Sequence, residues 1–308
     1  MHLRIPILNF SSLLDDGPRD HCDKHIGTGS IPHVSMLNSL LIDDPVEITM
    51  GDIKLDFKPS VPVIDTNISL GRRHDMPVSV ESITGTRNEM KRAGINIAVA
   101  HSPHAITYDS GEGNRMLMET IRDSPDFMPQ FVCNPSFDNL DEIALHVESE
   151  GVRSIRMLPS LHNYPFRSWI VGPWLDWLAE TGIPVWLPVE HQLLGNTYPI
   201  DPRDIYDTLS DRKDVTAVLS EVKYNDASWA LPLVKNLPNL DMEISRFVVT
   251  GGITSAVEAI GPDRVIFGSR FPYSAMSPQL YHLHHCGLSS EALQAICFGN
   301  ANRLLGID

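Results

Sequence analysis

Gly261-Pro262-Asp263-Arg264-Val265-Ile266-Phe267-Gly268-Ser269-Arg270-Phe271-Pro272 is the stretch that decides how this chain folds. A short β-branched and aromatic run over 264–269 reads as a buried strand, and it stops at a permanent cation, Arg270. Seven earlier runs share its character: 61–68, 95–101, 127–133, 152–158, 183–189, 215–222 and 240–245. Helix-forming stretches separate them, among them 81–94, 114–123, 140–151, 174–182 and 203–210. Gly94, Gly151 and Gly182 each close a helical stretch just before the next strand, as left-handed caps do. A last helix over 290–305 starts at the Ser289-Ser290-Glu291 cap.

Eight strand–helix alternations with short links predict an α/β fold: a (β/α)8 TIM barrel with an N-terminal extension. An open, doubly wound sheet is the alternative, and the count of eight favours the barrel. The barrel is expected over 61–308 and the extension over 1–60, where residues 46–57 alternate as a β-hairpin turning at Gly51-Asp52. Barrel chemistry sits where the strands end. The candidate mouth residues are therefore Asn67, Ser69, His101, Asn134, Arg156, Glu190, His191, Glu221, Lys223, Ser245, Arg246 and Arg270. The segment 156–174 is long for a strand-to-helix link and reads as a lid.

At 308 residues, 42% hydrophobic and 20% charged, the composition suits one large core. A net charge of -15 argues against a general nucleic-acid or anionic-membrane surface, while leaving room for a small cationic pocket. No apolar run reaches the roughly 18 residues that cross a bilayer, so no membrane partner is expected. Cys22, Cys133, Cys286 and Cys297 show no CxxC spacing, which suits reduced thiols and a cytoplasmic location.

Several segments resemble the amidohydrolase-2 superfamily of metal-dependent hydrolases and decarboxylases. Ile64-Asp65-Thr66-Asn67-Ile68-Ser69-Leu70-Gly71 is similar to its first strand, usually Ile-Asp-x-His-x-His-Leu-Gly. Gly113-Asn114-Arg115, Gly151-Val152-Arg153-Ser154-Ile155-Arg156 and the closing Asn300-Ala301-Asn302-Arg303-Leu304-Leu305-Gly306 follow in family order. The stretch 261–269 is the closest match. The resemblance implies a TIM barrel, hydrolysis of lactones or amides or decarboxylation, and often a homodimer.

It also implies metal ligands, and these do not carry over. Asn67 and Ser69 stand at the two first-strand histidines, Pro188 and Glu221 at the next two histidines, and Arg270 at the last-strand aspartate. An arginine cannot ligate a metal. Neither a metal nor any other cofactor is therefore expected.

The replacements suggest that Glu221 and Arg270 pair inside the mouth. Such a pair is either a fastening of the barrel or part of an anion site, with Arg156 or Lys223 helping to receive a carboxylate or phosphate. Asn67, Ser69, Glu190 and Ser245 are further ligand-binding candidates. His101, His191, Glu221 and Lys223 are the catalytic candidates, the histidines as acid or base beside a glutamate. Lys223 is either a base or nucleophile, or simply paired with Glu190, Glu221 or Glu243. A relocated metal site built from His101, His104, His191 and Glu221 is the remaining alternative, as is a non-catalytic scaffold.

Overall fold

Parallel strands occur at all eight positions that the sequence marks. The computed structural model describes residues 57–73, 76–189 and 199–307. The extension, its hairpin, Glu190 and His191 lie outside the described residues, apart from 57–60. The strands are β1 (Ile64–Ser69), β2 (Ile97–His101), β3 (Phe127–Pro129), β4 (Phe131–Cys133), β5 (Ile155–Met157), β6 (Val185–Pro188), β7 (Ala217–Ser220), β8 (Leu240–Glu243) and β9 (Val265–Ile266).

Two sheets, β1 to β3 and β4 to β9, join into a barrel at two seams. At one seam β3 and β4 are halves of a single stave parted at Gln130. Its N–H donates back to Ala100 O at 2.8 Å, and the N–H of Phe131 donates forward to Ser154 O at 3.1 Å. At the other, Thr66 donates to Phe267 O (3.2 Å) and Ser69 to Phe271 O (2.8 Å), so the last stave lies beside the first.

Helices α1 (Ile83–Ala93), α2 (Pro103–Thr107), α3 (Ser110–Ile121), α4 (Leu140–Glu150), α5 (Ser168–Thr181), α6 (Pro202–Leu209), α7 (Ala227–Asn236), α8 (Gly252–Ile260), α9 (Met276–His285), α10 (Ser290–Gln294) and α11 (Asn300–Leu305) alternate with the staves. Gly94, Gly151 and Gly182 are left-handed caps with φ of 79°, 65° and 68°. Helix α5 begins at Ser168, six residues before the sequence-based start at Trp174, which shortens the expected lid. The helix absorbs Pro173 because the carbonyl that loses its bond belongs to Trp169, on an exposed first turn.

Below the mouth the barrel is filled by Ile64, Val99, Trp186, Val218 and Ile266, with Ala301 and Leu305 beneath them. Trp186 is a fully buried member of this layer. The family-like motifs are fastenings. Asn114 Nδ2 donates to Val132 O (2.9 Å) and its Oδ1 accepts from Val132 N (3.0 Å), so one side chain supplies β4 with a peptide-like partner. Gly113 lets α3 pass against the Ala105 backbone, where any Cβ would collide. Asn300 Nδ2 donates to the carbonyls of Pro262 and Val265 and ties the last helix to β9.

Asn114→Ala would leave a buried N–H and a buried C=O without partners, at a cost of about 3 kcal/mol. A fall in Tm of roughly 10 °C is expected, readable by calorimetry.

Candidate functional site

Six side chains meet at the C-terminal ends of the staves: Asn67 and Ser69 from β1, His101 from β2, Arg156 from β5, Glu221 just past β7 and Arg270 after β9. Alternation along β1 places Asn67 and Ser69 on the inner face, helped by a register shift against β2 between Asp65 and Ile68. The cavity they enclose is closed further by Arg73, Leu158, Leu161 and Tyr273, among others. It has about 20 Å³ for water centres, enough for one or two waters.

Glu221 is the hub. Arg270 Nε donates to its Oε2 at 2.9 Å, and Arg156 Nη1 lies 3.6 Å from its Oε1. Arg156 is 1% exposed and reaches further, donating from Nε to Gln130 Oε1 (2.6 Å) and from Nη2 to Asn67 Oδ1 (2.9 Å). Burial alone would raise the pKa of Glu221, but the charges of Arg270 and Arg156 outweigh it and hold the group below the usual value. Both ion-pair partners have left-handed backbones, φ 58° at Glu221 and φ 62° at Arg270, which non-glycine residues adopt at a cost of about 1–2 kcal/mol each.

A second carboxylate lies behind the first. Glu243 is fully buried at the end of β8 and accepts from Asn67 Nδ2 (3.1 Å), Ser245 Oγ (3.0 Å), the backbone N–H of Glu221 (3.3 Å) and that of Ser245. Burial and then the charge of Glu221 raise its pKa to about 7. Gly268 opposite it is obligatory, since a Cβ there would stand 2.5 Å from Glu243 Oε1. Asp65 is also buried, with its pKa raised to about 6 by desolvation; its Oδ1 accepts from Asn67 N and Ser269 N, and its Oδ2 has no partner.

His101 is 4% exposed, and its Nδ1 has no hydrogen-bond partner. Burial first, then the charges of Arg156 and Arg270, push its pKa well below 6.5, so the imidazole is neutral. Three guanidinium groups and one carboxylate line the cavity among the described residues, so its field favours an anion.

Ser245 stands one layer behind the mouth, bonded to Glu243 and Asn67. Lys223 lies outside the cavity, in a neighbouring cleft with Arg246. Strand β7 ends at Ser220 and Glu221 then turns left-handed, so strand alternation does not carry over to Lys223. Asn134 begins a turn closed on Asp138, and His104 pairs with Glu112 at 3.2 Å on the rim. No group of three or more His, Cys, Asp or Glu side chains among the described residues is placed to hold a metal ion. Sequence reasoning missed Arg73, Gln130 and Tyr273, and it noticed Glu243 only as a partner for Lys223. Of these, Glu243 carried a signal: it lies two residues before Ser245.

The buried acids set the pH response. Asp65 binds its proton more tightly folded than unfolded, so its stabilising contribution is complete below about pH 4 and is lost as pH rises through about 6. Asp65→Asn keeps the acceptor used by Asn67 and Ser269 while removing the charge. The Tm of the variant relative to the native protein should therefore rise by about 5 °C between pH 4 and pH 8. A pH-independent difference would show that Asp65 is not the titrating group.

A family model described as Amidohydrolase matches residues 70–307. No curated protein sequence matches the chain. Among solved structures, 5-carboxyvanillate decarboxylase from Sphingomonas paucimobilis superposes with a TM-score of 0.64 at 15% identity, over 81% of this chain and 100% of that one. For 2,6-dihydroxybenzoate decarboxylase from Rhizobium the values are 0.65 and 12%, over 80% and 99%. The 5-carboxyvanillate decarboxylase of Novosphingobium aromaticivorans, complexed with manganese and 4-hydroxy-3-methoxy-5-nitrobenzoic acid, gives 0.65 and 12%, over 83% and 100%. These likenesses establish the fold. With the model matched over most of its length, the chain belongs to the amidohydrolase family.

Proposed function

We propose that the barrel mouth binds a small carboxylate on guanidinium groups and acts on it without a divalent metal. The observation that carries this reading is Arg270 Nε at 2.9 Å from Glu221 Oε2, at the stave end where the family resemblance implies a metal-binding aspartate. A divalent ion needs several histidine or carboxylate ligands. The residues at the implied positions do not fit one: Asn67 and Ser69 are neutral, Pro188 offers no side-chain donor and Arg270 is itself a cation. Only Glu221 is a ligand type, and its two oxygens already face Arg270 and Arg156.

Relatives of the same fold are named for decarboxylation of ring carboxylates, which supports a carboxylate as ligand class. Arginine's planar fork suits bidentate capture of that group. The closed cavity seats the carboxylate itself, and a ring would lie across the rim at Leu161 and Tyr273.

Both candidate bases are weakened here. Arg270 and Arg156 hold Glu221 ionised, and burial with the same two charges holds His101 neutral, so neither takes up a proton readily. The chemistry that fits is stabilisation of developing negative charge beside a bound carboxylate. Loss of that carboxylate and hydrolysis of a lactone share this requirement. In it the guanidinium groups hold the charge, and neutral His101 donates or accepts one hydrogen bond to the reacting group. The free thiols of Cys133, Cys286 and Cys297 suit a cytoplasmic setting.

Titration with 2,6-dihydroxybenzoate before and after exhaustive chelation tests this reading. The dissociation constant is expected to be unchanged by chelation and at least about tenfold weaker in Arg156→Gln, the loss of one charge-assisted hydrogen bond. One tightly held manganese or zinc per chain, whose removal abolishes binding, would overturn it.

A further inference from the structure

The mouth needs a proton donor for the chemistry proposed above. When a carboxylate leaves a ring, the carbon that carried it takes up a proton, yet Glu221 is ionised and His101 neutral. Asp65 and Glu243 hold protons closer to neutral pH, but both stand behind the mouth and neither lines the cavity. Among the described residues the cavity wall carries two hydroxyl groups, those of Ser69 and Tyr273. Of the two, the phenol is much the stronger acid.

A turn sets Tyr273 in place. Its N–H donates to Arg270 O at 3.1 Å, and that of Ser274 donates to the same carbonyl at 3.2 Å. The turn folds the aromatic ring back against Arg270, whose guanidinium carbon lies 5.2 Å from the ring centroid. One short segment therefore carries both the cation that faces a bound carboxylate and the phenol. On its other side the phenol oxygen accepts the backbone N–H of Arg73 at 3.2 Å. A backbone N–H can only donate, so this bond occupies a lone pair and leaves the phenol's own proton for another partner. Ser69 Oγ makes no hydrogen bond itself and lies close enough to the phenol to favour its ionised form.

We infer that Tyr273 is the proton donor of the mouth, a catalytic residue for loss of a ring carboxylate. Tyr273 has this role only if the mouth binds a carboxylate as proposed above. In the step, the Oη–H bond breaks and a C–H bond forms at the ring carbon that bears the carboxylate. The bond from that carbon to the carboxylate then breaks, its electron pair returns to the ring and carbon dioxide leaves. Water restores the proton to Oη. Burial raises the phenol's pKa above the ordinary tyrosine value, so the proton is in place at neutral pH. Ser69, the Arg73 N–H and the charges of Arg73 and Arg270 act the other way and stabilise the anion that remains after transfer.

Binding and turnover of 2,6-dihydroxybenzoate by the chelated full-length protein test the assignment. Tyr273→Phe keeps the ring against Arg270 and removes only the hydroxyl. Its kcat for carbon dioxide release is expected to fall about a hundredfold or more, with the dissociation constant unchanged within about threefold. A second variant carries 3,5-difluorotyrosine at position 273, which preserves the contacts and makes the phenol more acidic. Because the donor must be protonated, kcat is lost as pH rises through the phenol's pKa, and the fluorinated protein should lose it at lower pH. Arg73, Arg156 and Arg270 stay charged over that range, Glu221 stays ionised and His101 neutral, so the alkaline limb belongs to Tyr273. A kcat within about threefold of native in Tyr273→Phe, or binding weakened by as much as kcat falls, would overturn the assignment. So would an alkaline limb that does not move. Binding without carbon dioxide release by the native protein would overturn it and leave the carboxylate site standing, whereas absence of binding would overturn both.

Discussion

A carboxylate buried inside a barrel must find a cation, and in this protein the cation is part of the chain. Glu221 is 6% exposed and Arg270 9%, so each charge has lost most of its water and depends on the other. Removing one partner from such a pair leaves an uncompensated buried charge, commonly at a cost of about 3–5 kcal/mol. The surrounding mouth is arranged on this dependence. Arg156 approaches the other side of Glu221, Asn67 links Arg156 to Glu243, and His101 is kept neutral by its burial first and then by the two guanidinium groups.

The pair also explains local geometry that has no value to the barrel as such. Glu221 and Arg270 both adopt left-handed backbones at the ends of their staves, a strain that a simple strand-to-loop link would avoid. Gly268 has to be bare because Glu243 occupies the space a side chain would need. Strain, a forced glycine and two acids with raised pKa values converge on one small volume. Structures collect such costs where a site is held in a particular geometry.

Much of the barrel was legible in the sequence because its signals are local. Buried strands appear as short apolar runs, and helix ends as Gly94, Gly151 and Gly182, each needing a conformation that other residues resist. The Glu221–Arg270 contact was legible as well, from two opposite charges at the mouth ends of two staves, although both side chains lie just past their strands in left-handed turns. What alternation cannot carry was missed. Arg73 lies in the loop beyond β1, and Gln130 breaks a stave that reads as continuous. Lys223 was expected beside Glu221, but strand geometry ends at Ser220, and a helix start and two other loops set its surroundings instead. Residues on a strand or at its immediate end were placed, and those deeper in a loop were misplaced or missed.

A double-mutant cycle measures the central interaction directly. Chemical unfolding of the native protein, Glu221→Gln, Arg270→Gln and the combined variant yields the coupling free energy between the two side chains. A coupling of about 2 kcal/mol or more is expected for a buried, hydrogen-bonded charge pair. Effects that add to within about 0.5 kcal/mol would contradict it, and Arg270 could not then be the cation on which the mouth depends.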